Sequence, residues 1–493
     1  MFMSHKKKKL STPIIVIIFV LGTFALGGFF LWNVFFGSFS GGYTQQEDEK
    51  DSGSSDVITQ SDVAKKSSIG ISELLNILQT PRTTLVLFLN NTEIRPGGGF
   101  IGSYTVLETE GTAMQIHELQ GTENLDNNAP ASWHVDPPQM ITEHLGVNRW
   151  YFRDSNWSPD FQQSAKKSLA FYAAEQGVLA DEITAVVGVT PTVLEELLRI
   201  IGPVVVQGIE FNADSVTETL EYEVEYGYEK RGISFVNRKQ IMKPFFEAVR
   251  KKATKNILSN SIKYRNLIER MVKEKHILIF VKDGVSDELR GVAKRIGAGG
   301  EVYQGTGDSL MWVDANLAAL KTDHIMERDL SYTVSPVEGG GFVAVASMEY
   351  RHPGTFDWRT SRYKTYARVF VPKGATLIEG WIEERGVKRR IEDVVIEQHE
   401  EIGKTSFGNF VVIEPGREKR VSFKYVIAPD VVHHINTEKQ YQLVTQKQIG
   451  LDGVGLTLHL DFGTYIRDGK KDIPVYTTRE LLDYDRKISL SLE

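Results

Sequence analysis

The pattern of apolar residues in the first two thirds of the chain alternates between two kinds of segment. Short continuous runs, typical of buried strands, are Leu85–Leu89, Thr184–Val189 and Ile277–Val281. Between the last two runs, Leu194, Leu197, Leu198 and Ile201 follow the spacing of one helix face, and Gly202-Pro203 ends that helix. Strands and helices joined by short connections predict an α/β domain, a sheet layered with helices, over residues 69–326.

The pattern changes near Met326. Later runs alternate apolar and polar residues, as in Tyr366–Val371 and Val421–Val426, and turn signals separate them at intervals typical of β-sandwiches. We therefore predict an all-β sandwich domain over residues 327–493.

The N-terminus predicts membrane topology. Four lysines, Lys6 to Lys9, precede an uncharged apolar run from Pro13 to Phe36, about 24 residues, which is long enough to cross a bilayer core of about 30 Å. A cleaved signal peptide is the alternative, but its apolar region is usually shorter. We predict a cytoplasmic tail (1–12), one transmembrane helix (13–36), a disordered linker (37–68) and extracytoplasmic domains anchored at the cell membrane.

Composition excludes several classes of function. The 493 residues include no cysteine, which rules out disulfides, thiolate metal sites and a cysteine nucleophile. The part after residue 36 holds 53 of the 57 basic residues against all 64 acidic residues, so no basic footprint for nucleic acid is visible globally.

Asn90 to Tyr104 (NNTEIRPGGGFIGSY) is the first candidate site, because a buried-type strand opens there into a loop with few side chains. Backbone N–H groups at Gly97, Gly98 and Gly99, together with Arg95, would suit a phosphate or carboxylate. The alternative is a wide turn with a solvated arginine. A dinucleotide fingerprint is rejected, since the residues after Gly99 favour a strand rather than a helix.

Asn148 to Asp160 is the second candidate site. Arg153 and Asp154 lie on a loop that leads into a predicted helix, and helix N-termini attract anions. A local ion pair between the two residues is the structural alternative. The preceding stretch, Gln120 to Pro138, is dense in Asn, Asp, Thr and Pro and predicts a long loop.

Several motifs together resemble a bacterial family of membrane-anchored envelope proteins, the domain of unknown function 4012. They are NNTEIRPGGGFIGSY, YFRDSNWSPDFQQSA, PTVLEELLRIIGPV, DSLMWVDANLAALKTDHIMERDLSY, SRYKTYARVFVPKG and YQLVTQKQIG. The resemblance implies an anchored, extracytoplasmic protein and no particular chemistry.

In the first domain, an arginine loop follows a strand, Arg153-Asp154 precedes a helix, another helix ends in Gly-Pro-Val, and Arg238-Lys-Gln240 opens a basic helix. This order is similar to the LytR-CpsA-Psr group, transferases that move glycopolymers from a polyprenyl-pyrophosphate carrier to the cell wall. This resemblance implies ligand contacts from Arg95, Arg238 and Gln240, catalysis by Arg153 and Asp154, and a metal such as Mg²⁺ held at most by Asp154. Two positions depart from that group: Pro96 to Gly99 replace an expected acid, and Phe152 stands where proline is usual.

Two functional hypotheses follow. One is an envelope enzyme that transfers glycopolymer from a polyprenyl-phosphate lipid, with Arg95, Arg153 and Arg238 converging on one cleft. The other is a non-catalytic envelope protein that binds wall polymer or another protein.

Overall fold

A computed structural model describes residues 82–110, 113–255, 259–468 and 471–493. The predicted tail (1–12), transmembrane helix (13–36) and linker (37–68) lie outside these residues. Among the helices described, none is long and apolar enough to cross a bilayer.

The N-terminal part is built on a six-stranded mixed sheet with the order β3-β2-β1-β5-β8, and β4 pairs with β2. β1 and β5 run parallel, and the other neighbours are antiparallel. A separate hairpin is formed by β6 and β7. The strands are β1 (Arg82–Asn90), β2 (Phe100–Glu110), β3 (Ala113–Ile116), β4 (Gln120–Gly121), β5 (Ile183–Val189), β6 (Val204–Val206), β7 (Ile209–Phe211) and β8 (Ile277–Val281).

Helices cover both faces of this sheet, because its central strands are apolar on both sides. Leu85, Leu87 and Leu89 of β1 face one core, and Val86 faces the other. The helices are α1 (Thr122–Asn127), α2 (Gln139–Leu145), α3 (Phe161–Ala174), α4 (Pro191–Ile201), α5 (Val216–Tyr222), α6 (Tyr228–Lys230), α7 (Met242–Lys255), α8 (Ser261–Lys273) and α9 (Asp287–Arg295). A π-helical turn (Glu223–Gly227) joins α5 to α6, and 3-10 turns span Phe152–Asp154, Ala180–Glu182 and Phe235–Ile241.

The C-terminal part is one 13-stranded sheet. Its order is β14-β13-β17-β11-β10-β19-β21-β18-β9-β12-β16-β15, and β20 pairs with β19. The strands are β9 (Asp308–Asn316), β10 (Glu327–Pro336), β11 (Phe342–His352), β12 (Tyr363–Pro372), β13 (Thr376–Glu384), β14 (Val387–Ile391), β15 (Val395–His399), β16 (Lys404–Ile413), β17 (Arg417–Val426), β18 (Gln440–Gln446), β19 (Val454–Asp468), β20 (Lys471–Leu482) and β21 (Arg486–Leu492). Helix α10 (Pro429–Glu438) and 3-10 turns at Thr322–Ile325 and Glu400–Ile402 complete it.

This sheet curls over a single core, so the predicted pair of sheets is one continuous sheet. Tyr332 of β10, Phe407 of β16 and Phe423 of β17 share that core, although β10 and β16 are distant in the strand order. β9 lies between β18 and β12, so the large sheet already begins at Asp308, before the boundary predicted at residues 326 and 327.

Each of the two parts buries one isoleucine in the core of the other part. Ile94, in the loop after β1, is fully buried in the core of the large sheet. Ile449, in the loop after β18, is fully buried in the core of the small sheet. The two loops also bind each other, because the Asn91 side chain donates to the carbonyl of Gly450 at 2.8 Å. Each isoleucine adds about 1.5–3 kcal/mol of burial to a core made mostly by the other part of the chain.

A buried arginine crosses the interior of the large sheet. Arg328 Nε donates to Asp314 at 2.9 Å and Arg328 Nη2 to Asp323 at 2.5 Å, and all three side chains are at most 4% exposed. Burial raises the pKa of Asp314, and the charge of Arg328 opposes that rise. The network is stable only while both signs of charge are present.

We expect Arg328→Ala to lower the free energy of unfolding by about 3–5 kcal/mol, because two buried carboxylates lose their counter-charge. Chemical denaturation measures the loss. The matched control is Arg362→Ala, which removes an exposed pair with Glu414 and should cost about 0–1 kcal/mol. Equal losses in the two variants would contradict the structural role of Arg328.

A fragment of residues 329–493 should not fold into the large sheet. It lacks β9, the strand that joins β18 to β12, and it lacks Ile94. Circular dichroism and proteolysis can compare it with a fragment of residues 82–493, which should be folded. A cooperative thermal transition in the short fragment would show that β9 is dispensable.

Candidate functional site

A charged cluster lies at the edge of the small sheet where β1 and β5 end. These strands are parallel, so their carboxyl ends meet at one edge, the place where α/β sheets commonly bind ligands. The loop after β1 carries Glu93 and Arg95. The 3-10 turn Phe152–Asp154, helix α1 and the 3-10 turn Phe235–Ile241 bring the remaining charges to the same edge.

Arg95 is buried, not open to a ligand: only 2% of its side chain is exposed. Its guanidinium binds Asp154 at 3.0 Å, Glu93 at 3.2 Å and the carbonyl of Asn316 at 2.5 Å. Burial raises the pKa of Glu93, and Arg95 opposes that rise. The structure therefore gives Arg95 a joining role between the two parts of the chain, in place of the predicted contact with an anion.

The glycine loop, which is predicted to expose its backbone to an anion, is packed against other parts of the protein. Gly97, Gly98 and Gly99 are all buried. A Cβ at Gly98 would lie 2.8 Å from Ile449, and one at Gly99 would lie 2.5 Å from the backbone of Asn90. Gly98 and Gly99 have φ of 118° and 139°, which side chains rarely adopt. Gly98 admits the loop that carries Ile449, Gly97 packs against Ser164, and Gly99 packs against the backbone of Asn90, so this loop faces protein rather than a ligand.

Arg153 and Asp154 do not pair with each other. The 3-10 turn directs Asp154 to Arg95 and Arg153 to Asp126, where Nε lies 2.5 Å from the carboxylate. Arg153 stays 34% exposed. Its guanidinium and that of Arg149 both lie over the ring of Tyr151, at 5.3 and 5.2 Å. Arg153 is thus a fixed cation that solvent reaches.

Arg238 reaches the same cluster from the other side. Its Nη2 donates to Glu123 at 2.8 Å, and Lys239 Nζ donates to the second oxygen of Glu123 at 2.9 Å. Both cations remain partly exposed. Burial lowers the pKa of Lys239, and Glu123 opposes that shift. Gln240, also predicted to bind ligand, is exposed, and no described contact ties it to the cluster.

Helix α1 gathers these cations, and sequence reasoning missed it. Glu123 and Asp126 lie three positions apart, so they share one side of the helix. Glu123 binds Arg238 and Lys239, and Asp126 binds Arg153. The stretch Gln120 to Pro138 was predicted as a loop, and this is wrong for α1. The spacing Glu-x-x-Asp after Gly121 was the available signal.

Asp126 also belongs to a second pair, with Glu175. The two carboxyl groups are close enough that the charge of Asp126 opposes ionisation of Glu175. Burial, with the hydrogen bond and charge of Asp126, raises the pKa of Glu175 to about 8. Glu175 Oε1 accepts the N–H of Phe152 at 2.8 Å. The pair therefore holds a titratable proton beneath Arg153.

The donor set does not fit the metal that the transferase resemblance implies. Asp154 is occupied by Arg95, and Asp126 by Arg153 and Glu175. Within the described ranges, no group of three or more His, Asp or Glu side chains is arranged to hold a metal ion. The predicted role of Asp154 as a metal ligand is therefore replaced by its ion pair with Arg95.

The solved structures that match part of this chain have low sequence identity and low TM-scores. A candidate nutrient-binding protein from Legionella pneumophila is 9% identical, with a TM-score of 0.25, and the match covers 38% of this chain and 71% of that protein. Leukotriene A4 hydrolase from Saccharomyces cerevisiae is 12% identical, with a TM-score of 0.19 and coverage of 36% and 29%. Scores this low carry no argument about function.

Two further comparisons concern curated proteins and protein families. None of the curated proteins matches the chain. A family model matches residues 79–225, a range that contains Arg95, Asp126, Arg153 and Glu175 but not Arg238. Over this segment the chain is therefore similar to the family described as a protein of unknown function, DUF4012.

Proposed function

We propose that this protein is a membrane-anchored, extracytoplasmic envelope protein that binds the phosphate groups of a glycopolymer or of its polyprenyl-phosphate carrier. The observation that carries the proposal is the gathering of Arg153, Arg238 and Lys239 on the two carboxylates of α1. Three cations from two distant segments are held at one edge and stay partly exposed.

The electrostatics favour an anionic ligand. The carboxylates fix the cations, which lowers the entropy lost when a ligand orders them. Each guanidinium also presents more donors than its carboxylate accepts. Nε of Arg238 and Nε of Arg149 are buried and have no hydrogen-bond partner among the described residues. Unsatisfied buried donors at such a place support a bound acceptor, and phosphate oxygens match guanidinium geometry.

The location in the envelope rests on the sequence. Four lysines before an apolar run of transmembrane length support the proposal that the later residues lie outside the cytoplasm. The predicted linker of about 30 residues (37–68) would let the domains reach along a membrane surface or into the wall.

Transfer chemistry is a second candidate, favoured by the pair of Asp126 and Glu175. A carboxyl group with a pKa of about 8 holds its proton at neutral pH and lies in the range useful for general acid or base catalysis. Asp126, whose charge acts on this carboxyl group, is the ion-pair partner of Arg153. This is also the chemistry implied by the LytR-CpsA-Psr resemblance. Binding remains the first proposal, because Arg95 is enclosed and the metal donors do not fit.

Arg153→Ala should weaken the binding of a short-chain prenyl pyrophosphate by about 1–3 kcal/mol, the usual worth of a hydrogen bond to a charged group. Arg238→Ala should act in the same direction. Isothermal titration of the full chain in nanodiscs measures both. The control is Lys263→Ala, which removes an exposed cation of α8. Equal affinity in Arg153→Ala and the parent protein would remove the main support for the phosphate site.

Glu175→Gln should alter the dependence of stability on pH. The pKa of Glu175 is about 8 in the folded chain against an ordinary value of 4.5, so folding retains a proton that the unfolded chain loses. The parent protein should therefore lose free energy of unfolding as pH rises from about 5 to 8. Glu175→Gln keeps an acceptor for Phe152 N–H and should lose less over this window.

Denaturation curves at several pH values test this, with Glu414→Gln as the control because Glu414 is exposed. If the free energy of unfolding changes with pH in the same way in Glu175→Gln and in the parent protein, Glu175 does not retain a proton on folding.

A further inference from the structure

The outer face of the large sheet carries a straight row of small hydroxyl side chains. Successive cross-strand partners form this row, which we call the hydroxyl row: Trp381, Ser422, Ser347, Ser331, Thr457 and Arg479, on β13, β17, β11, β10, β19 and β20. Their neighbours along the strands, such as Leu330 and Tyr332, point into the core. The row therefore faces outward, with an indole at one end and a guanidinium at the other.

A second row forms a wall beside the first. Each member of this second row lies two positions along the same strand from a member of the hydroxyl row. Its members are again cross-strand partners: Glu383, Arg420, Glu349 and Asp329. Arg420 binds Glu349 at 2.5 Å, and Arg351 binds Asp329 at 2.5 Å and Glu349 at 2.8 Å. These ion pairs hold the wall upright, so the small hydroxyl side chains lie at the bottom of a groove.

The groove is a depression of about 400 Å³. It is lined by the hydroxyl row and by the charged wall. Six strands at a spacing of about 4.8 Å make it roughly 24 Å long. Ser422, which lines it, is 1% exposed as a residue, and its hydroxyl has no hydrogen-bond partner among the described residues. A buried hydroxyl without a partner indicates an acceptor or donor that a ligand supplies.

We propose that this groove binds a linear, uncharged saccharide chain lying across the strands. Serine and threonine hydroxyls, carboxylates and guanidinium groups together offer both donors and acceptors, which is what a chain of sugar hydroxyls needs. Trp381 offers an apolar face for a sugar ring at one end, and Lys388 packs on that indole at 3.7 Å and positions it.

The charges of the groove select against other ligands. Arg351, Arg420 and Arg479 are balanced by Asp329, Glu349 and Glu383. A polyanion would need an excess of positive charge. An extended peptide is normally bound at a sheet edge, where backbone groups are free, whereas these six strands are paired with one another. The groove is independent of the phosphate site, since its ligand is neutral and contacts the other part of the chain.

Ser331→Leu tests the groove by filling its floor. Titration of the full chain in nanodiscs with an N-acetylglucosamine tetramer and with a glucose tetramer should show binding of at least one. Ser331→Leu should weaken that binding by about ten-fold or more. The matched control is Ser335→Leu, which adds the same side chain on the same strand and face but outside the groove lining; its affinity should equal that of the parent protein.

Trp381→Ala is a second variant, and it should weaken binding without filling the groove. Arg153→Ala should leave saccharide binding unchanged, which separates this site from the phosphate site. The proposal is overturned if neither tetramer binds, if Ser331→Leu binds as the parent does, or if Ser335→Leu loses affinity equally. Binding of a polyanion such as polyphosphate at the groove, in place of either tetramer, would also overturn it.

Discussion

The exchange of Ile94 and Ile449 is the constraint on which the rest of the structure depends. Each residue completes a core built mainly by the other part of the chain, and the backbone around each must approach the other closely. This explains the glycines, because any side chain at Gly98 would occupy the space of Ile449. It also explains Arg95, whose guanidinium satisfies the carbonyl of Asn316 and two carboxylates at the junction.

Burying Arg95 has a consequence for the candidate site. Asp154 must face inward to balance it, so the adjacent Arg153 is turned outward to Asp126 of α1. Helix α1 is thereby fixed at the sheet edge, and its Glu123 faces Arg238 and Lys239. The exposed cations are therefore positioned by a buried junction. A change at the junction should disturb the proposed phosphate site without touching it.

The regular elements were largely readable from the sequence. Gly202 ends α4 as predicted, and the apolar runs at 85–89, 184–189 and 277–281 are strands of one sheet. What the sequence did not reveal depends on distant partners. Glycines that approach a ligand and glycines that admit another loop have the same local pattern, and Gly450 lies 359 positions from Asn91. The large sheet begins at β9 because pairing with β12 and β18, not local composition, decides membership of a sheet.

Helix α1 is the organiser of the proposed phosphate site, and a crystal structure with inorganic pyrophosphate tests this role most directly. The predicted result is pyrophosphate oxygens within hydrogen-bond distance of Arg153 and of Arg238 or Lys239, with Arg95 still enclosed by Asp154 and Glu93. Pyrophosphate bound away from α1, or no bound pyrophosphate at saturating concentration, would contradict this role of α1.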